Sequence, residues 1–335
     1  MKLDVLQNPT LCLEDNAFLF SLNTQNIPPI SQSIFKRNQK ELESLSEYFG
    51  GESGGNFSFL SGAFLELFLS LHTCGHKIAL ALSNHQQAYD AYKLIKNFIP
   101  ITPILPSTQS GIIENIEEFD QCDVFIIPLV NQDLLTLNPI EKLMEQREDA
   151  IFIIDISYGV RFSLTPKLTS KTIFLCEAES FGFLRGNGVF LSYKEYLPYF
   201  PRTRYVDHLY VKLLERIKSC STPLKDHKEE FFSLFQDSNI SLFAPLSNSL
   251  TNTLALRFKG IKARNLLQSL VLEDIEAING QECLFGFFSP SFVLQEMGYS
   301  ELEARELLSV SFTHFDPKIA KILEKHYIQL KTLEI

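Results

Sequence analysis

This 335-residue sequence has no surplus of positive charge: 30 lysines and arginines face 40 aspartates and glutamates, a formal net charge of -10. Binding a nucleic-acid backbone or an anionic membrane surface draws on clustered basic side chains, so neither partner is expected. Apolar runs long enough to span a bilayer are absent. Met1-Lys2-Leu3-Asp4-Val5 has no basic region leading into an apolar run and a small-residue cleavage site, and no secretory signal is expected. The cysteines, Cys12, Cys74, Cys122, Cys176, Cys220 and Cys283, form no Cys-x-x-Cys pair. That disfavours a disulfide framework or a zinc knuckle and makes a reducing cytoplasm the expected compartment. His72 and His76 share helical spacing without a third ligand, so no metal site is expected. Glycine-rich nucleotide loops, a Ser-His-Asp elbow and internal repeats are also missing.

What is present is alternation. Short apolar runs at residues 77–82, 123–127, 150–154 and 172–175 suit strands buried on both faces, and residues 62–74 and 85–98 have helical spacing, stopped by Gly75 and Pro100. The pattern predicts an α/β large domain over residues 1–220, a mostly parallel sheet flanked by helices. Residues 206–219 read as its last helix and 221–226 as a linker. A smaller α+β domain is expected over 221–335. It has an alternating strand at 253–258, a helix at 262–273, a capping box at Ser300 and Glu303, and a terminal helix opened by Asp316-Pro317. Residues 1–20 are expected to pack on it, and glycine-rich residues 50–55 read as a flexible loop.

One segment is distinctive. Gly280-Gln281-Glu282-Cys283, then Pro290-Ser291-Phe292-Val293-Leu294, Met297-Gly298-Tyr299-Ser300 and Glu303-Ala304-Arg305 resemble the catalytic-cysteine loop and following helices of bacterial cysteine desulfurases. The likeness is ungapped over residues 280–315 and extends in shorter matches upstream to residue 59. It implies the fold type I architecture of pyridoxal-phosphate-dependent enzymes, in their class V aminotransferase group, and a homodimer with sites at the subunit interface. Ser61-Gly62-Ala63, followed by Glu66, falls where that family binds the cofactor phosphate, and His85 where it stacks a histidine on the cofactor ring. Asn131-Gln132-Asp133 matches its Asn-Asn-Glu loop, and Asp155 the aspartate that pairs with the pyridine nitrogen. Asn252-Thr253-Leu254 is similar to another signature, and Cys283 stands at the persulfide acceptor.

The same resemblance exposes what is missing. A pyridoxal enzyme holds its cofactor through a lysine Schiff base, yet no lysine lies between Lys171 and Lys194. The family position falls on Ser180 or Phe181, and Lys171 begins a strand whose far end should carry the amine. Phe64 replaces the phosphate-binding threonine, Glu177 the phosphate-contacting serine and Tyr158 a glutamine that touches the cofactor. Ser309 replaces the arginine that clamps the substrate carboxylate. The chain between Tyr193 and Val206 is shorter than in the family and lacks its Arg-Ser-Gly-Thr segment; Arg202 and Arg204 there read as a solvated basic turn.

Each retained residue has a plainer role beside the family one. Asp155 could cap a turn, His85 could open a helix, and Asn131 and Asp133 could serve an Asx turn. Cys283, amid Leu284, Phe285, Phe287 and Phe288, could be a small core residue. The expected function is that of a desulfurase-like protein without pyridoxal catalysis, acting by binding a partner or ligand. Two alternatives stay open. One is an active desulfurase turning cysteine into alanine with persulfide on Cys283. The other is a cofactor-free relay in which Cys283 takes persulfide from another protein.

Overall fold

Apolar runs that alternate with helices bury both faces only in the interior of a sheet, and the computed structural model places the four expected strands there. The structure describes residues 1–12, 14, 32–193, 199–200, 208–220, 224–281, 283 and 289–333. Strands β2 (Ile78–Ala81), β3 (Ile101–Ile104), β4 (Val124–Pro128), β5 (Ile151–Asp155) and β6 (Thr172–Glu177) are parallel, in the spatial order β6-β5-β4-β2-β3. β7 (Gly188–Ser192) runs antiparallel beside β6, and β1 (Ser53–Asn56) antiparallel beside β7, completing seven strands.

Strand periodicity divides the core. Ile153, Ile173 and Leu175 point to one face, covered by Leu67 and Phe68 of α2 (Ser61–Thr73) and Ala88 and Tyr92 of α3 (Gln86–Ile95). Phe152, Ile154, Phe174 and Cys176 point to the other. There they meet Leu45 of α1 (Gln32–Tyr48), Ile140 and Leu143 of α4 (Ile140–Gln146), and Leu209 and Leu213 of α5 (Leu209–Cys220). Helices on both faces follow from parallel strands, which need crossovers.

Residues 53–56 are a strand, which corrects the flexible-loop reading. A Cβ at Gly54 would sit 2.5 Å from the Phe190 carbonyl oxygen, and one at Gly55 2.8 Å from Cε1 of the Phe190 ring. Glycine serves close approach to β7 here.

The second sheet is antiparallel, in the order β10 (Leu307–Ser311), β9 (Thr253–Phe258), β8 (Ile240–Leu242). Its inward residues Leu254, Leu256, Leu308 and Val310 pack under Leu266 of α6 (Ala263–Leu270) and Leu323 and Tyr327 of the terminal helix (Pro317–Leu333). The helix expected over 262–273 is α-helical to Leu270 and tightens to 3-10 over Val271–Glu273, ended by Asp274 at φ 52. Ser300 and Glu303 form the reciprocal capping box. The N-terminus joins this sheet: Leu3 is fully buried, its N–H donates to Glu276 O and its carbonyl accepts from Ser311 N, both at 2.7 Å. Residues 221–223 of the expected linker lie outside the described residues. Among the described residues no helix is long and apolar enough to cross a membrane.

Candidate functional site

The carboxyl ends of the parallel strands bring together residues far apart in sequence: His85 follows β2, Gln132 follows β4, Asp155 ends β5 and Glu177 ends β6. This is the edge where open α/β sheets gather ligands. All four side chains are buried.

Asp155 has both carboxylate oxygens engaged. Oδ2 accepts from Gln132 Nε2 at 2.8 Å, while Oδ1 accepts from the Ser157 backbone N–H at 2.9 Å and from the Ser157 hydroxyl in a short bond. Burial, the largest influence, raises the Asp155 pKa; His85 and the Ser157 bonds oppose it, and Glu177 adds to it. Asp155 thus closes a turn and orients Gln132.

His85 does two things at once. Its Nδ1 accepts the Gln87 N–H at 3.2 Å and so caps α3, while Nε2 lies 3.2 Å from Glu177 Oε1. The distance suits an ion pair but the alignment is not that of a hydrogen bond, and Glu177 Oε1 has no hydrogen-bond donor. Its ring meets Phe59 edge-on, with centroids 5.4 Å apart, and lies nearly parallel to Phe64 at 6.2 Å. Burial, acting most strongly, lowers the His85 pKa, but the nearby carboxylates of Glu177, Asp155 and Glu179 outweigh it and the net shift is upward. Capping by Nδ1 favours the neutral ring with its proton on Nε2, facing Glu177.

Ser180 stands at the turn after β6. Its hydroxyl donates to Glu177 O at 2.8 Å, folded back into its own 3-10 turn, Glu179–Phe181. Lys171 lies at the opposite end of β6, exposed, its amine on Glu148 O at 2.5 Å. Glu179 is held by Arg185, whose Nε and Nη2 reach it at 2.7–3.0 Å. At the start of α2, the Ser61 N–H donates to Gln87 Oε1 at 2.9 Å, and the Ala63 N–H to Leu60 O at 3.0 Å. Gly62 is exposed. Phe64, Tyr158 and Phe181 are buried but do not form one plug: Phe64 belongs to the core on one sheet face, Tyr158 and Phe181 to the core on the other. Burial, then Glu177 and Glu179, pushes the Tyr158 phenol well above its usual pKa.

The distinctive segment reaches this edge through Gln281. Its side chain accepts the Gln86 N–H at 2.8 Å and donates to Asn84 O at 3.2 Å, capping α3, and its backbone N–H donates to Asp133 Oδ1 at 3.0 Å. Asp133 also accepts from Ser291 in a short bond, and its carbonyl accepts from Ser309 Oγ at 2.7 Å. Asn131 Oδ1 takes the Asp133 and Leu134 N–H groups in an Asx turn. Gln132 and Asp133, adjacent in sequence, therefore serve different ends, one orienting Asp155 and the other joining the two sheets. Cys283 is half-buried; burial raises its thiol pKa most, partly offset by a backbone bond from Asn279. The apolar residues after it, 284–288, and Arg202 and Arg204 lie outside the described residues. The roles of Gln87 and Gln281 went unseen in the sequence, because a lone glutamine with a partner 26 or 195 residues away leaves no local signal.

A seven-stranded, mostly parallel sheet with an antiparallel edge, helices on both faces and a small antiparallel sheet beyond defines the fold type I architecture of pyridoxal-phosphate-dependent enzymes. Solved structures with this arrangement include a NifS-like protein, TM-score 0.73 at 14% identity over 99% of each chain. Another is the NifS-like protein from Rickettsia africae, TM-score 0.73 at 16% identity over 99% of each. A third is the apo cysteine desulfurase from Thermococcus onnurineus, TM-score 0.71 at 10% identity over 98% of this chain and 95% of that one. The likeness at these identities is one of fold. No protein-family model and no curated protein matches the sequence.

Proposed function

We propose that this chain is a cysteine desulfurase-like protein of the class V aminotransferase group that no longer performs pyridoxal catalysis and acts by binding a partner or ligand. The observation that carries the reading is the Ser180 turn. The family's Schiff-base position falls on Ser180 or Phe181, the Ser180 hydroxyl is spent on Glu177 O, and among the described residues no lysine amine bonds to His85, Asp155, Glu177 or Ser180.

The remaining residues do not fit pyridoxal phosphate. A phosphate at the start of α2 would compete with Gln87 for the Ser61 N–H. It would also approach a region that already holds Glu177 and Glu179. A pyridine nitrogen would find Asp155 already bonded at both oxygens, and His85 already has Phe59 and Phe64 against its ring. No catalytic step is therefore assigned to the cofactor. The half-buried Cys283 with its raised thiol pKa also weighs against a persulfide relay, since the thiolate is the nucleophile.

The test is spectroscopic. Purified protein mixed with pyridoxal phosphate is expected to stay colourless, and borohydride treatment followed by peptide mass spectrometry should find no cofactor-modified lysine. A visible absorption band with a reduced lysine adduct overturns the proposal. Exposure to a persulfide donor is expected to leave Cys283 unmodified. The family expectation of a homodimer is checked by sedimentation velocity, which should give a particle of two 38.3 kDa chains.

A further inference from the structure

Arg161 sits in the 3-10 turn Gly159–Phe162 that follows β5. Its Nη1 donates to three carbonyl oxygens: Val5 at 2.7 Å, Ser180 at 3.2 Å and Leu6 at 3.4 Å. It is half-buried, and among the described residues Nε and Nη2 have no protein acceptor. This is unusual, because a guanidinium withdrawn from water normally pairs with a carboxylate, and this chain has 40 acidic side chains for 30 basic ones. Burial lowers the Arg161 pKa, and only Cys220 and Tyr158, neutral in their ordinary state, counter it.

Arg161 lines a cavity of about 190 Å³ between the two sheets and the N-terminal segment. Val5, Leu6, Phe162 and Phe312 give it an apolar wall, and among the described residues no aspartate or glutamate lines it. Thr251 and Thr313 also line it, and their hydroxyls have no protein partner among the described residues. Nε and Nη2 share one edge of the planar guanidinium and form a fork that matches two carboxylate oxygens. The same edge of Arg185 is closed on Glu179. With Nη1 fixed by backbone carbonyls, the fork of Arg161 is preorganised.

We propose that this cavity binds a small monocarboxylate with an apolar tail, the carboxylate gripped by the Nε and Nη2 edge of Arg161 and the tail against Val5, Leu6, Phe162 and Phe312. A carboxylate supplies the missing counter-charge, and the wall accounts for the rest of the molecule. The site adjoins the His85–Glu177 cluster through Ser180, and its test does not depend on whether pyridoxal phosphate binds. Because Nη1 holds Ser180 O and the N-terminal segment, occupancy would tighten the junction between the sheets.

Isothermal titration of the full chain with sodium butyrate, butyramide and sodium phosphate, at constant ionic strength, tests the assignment. Butyrate is expected to saturate a single site, with neither butyramide, which has the same shape without charge, nor phosphate doing so. Arg161→Lys keeps the charge but loses the fork, and should weaken butyrate binding by about tenfold or more. Thr251→Glu, which leaves Arg161 in place and puts a carboxylate at the cavity wall, should abolish it. This second variant, with the butyrate and butyramide comparison on the native chain, decides the matter even if Arg161→Lys folds poorly. The proposal is overturned if butyrate does not saturate, if butyramide or phosphate binds as tightly, or if either variant retains native affinity.

Discussion

At the scale of single residues, buried polar groups decide what this molecule can do, and several are held by partners that sequence proximity does not reveal. Asp133 is fully buried and joins the sheets by accepting from Gln281 and Ser291 and, through its carbonyl, from Ser309. Asp133→Ala strands two buried donors, and urea denaturation should register a loss on the order of 3 kcal/mol, with Asp133→Asn costing less. His85 makes a prediction of opposite character. Its pKa lies above the ordinary 6.5, so the stabilisation from Glu177, Asp155 and Glu179 is full below pH 6.5 and lost as pH rises through the folded-state value. Unfolding free energy should therefore fall as pH rises above 6.5, and His85→Gln should flatten that slope; an unchanged slope would contradict the assignment. The Asp155 position at the end of an apolar strand was legible in the sequence, as was the lack of a lysine between Lys171 and Lys194. That Gln132 and Ser157 complete the coordination of Asp155 was not, because side-chain direction depends on the packed turn.

Among the elements, those whose pattern comes from burial on both faces were the readable ones. β4, β5 and β6 are continuous apolar runs because helices cover each side. β1 escaped notice because its sequence, Ser-Gly-Gly-Asn, has no hydrophobic signal, and its pairing depends on the absence of side chains opposite Phe190. Gly54→Ala should therefore destabilise the chain by about 2 kcal/mol, measured as a shift in the urea midpoint, since the added methyl meets backbone rather than a movable side chain. α3 opened where expected, but its caps come from His85 and from Gln281, in the segment before β10. The helix is thus positioned by tertiary contacts at its first turn.

On the scale of the whole molecule, the N-terminal segment binds the parts together. Leu3 lies in the core of the small sheet and Leu6 in that of the large one, while Val5 and Leu6 carbonyls hold Arg161. A chain lacking residues 1–8 should lose on the order of 4 kcal/mol with the burial of the two leucines, seen in thermal or urea unfolding. If removal leaves stability unchanged, the segment is not the clasp described here.

By itself the sequence determined the α/β class, the parallel order of strands and helices, the likeness to a pyridoxal-enzyme fold and the absence of its lysine. These depend on local hydrophobic periodicity and on residue identity at matched positions. Only the tertiary structure decided that Asp155 is saturated, that Gln87 occupies the Ser61 amide, that Gln281 caps α3, and that Arg161 lines a cavity with no carboxylate among the described residues. The physical reason is that a buried polar group must be satisfied by whatever packing brings within about 3 Å of it. In this chain those partners come from segments as far as 305 residues apart.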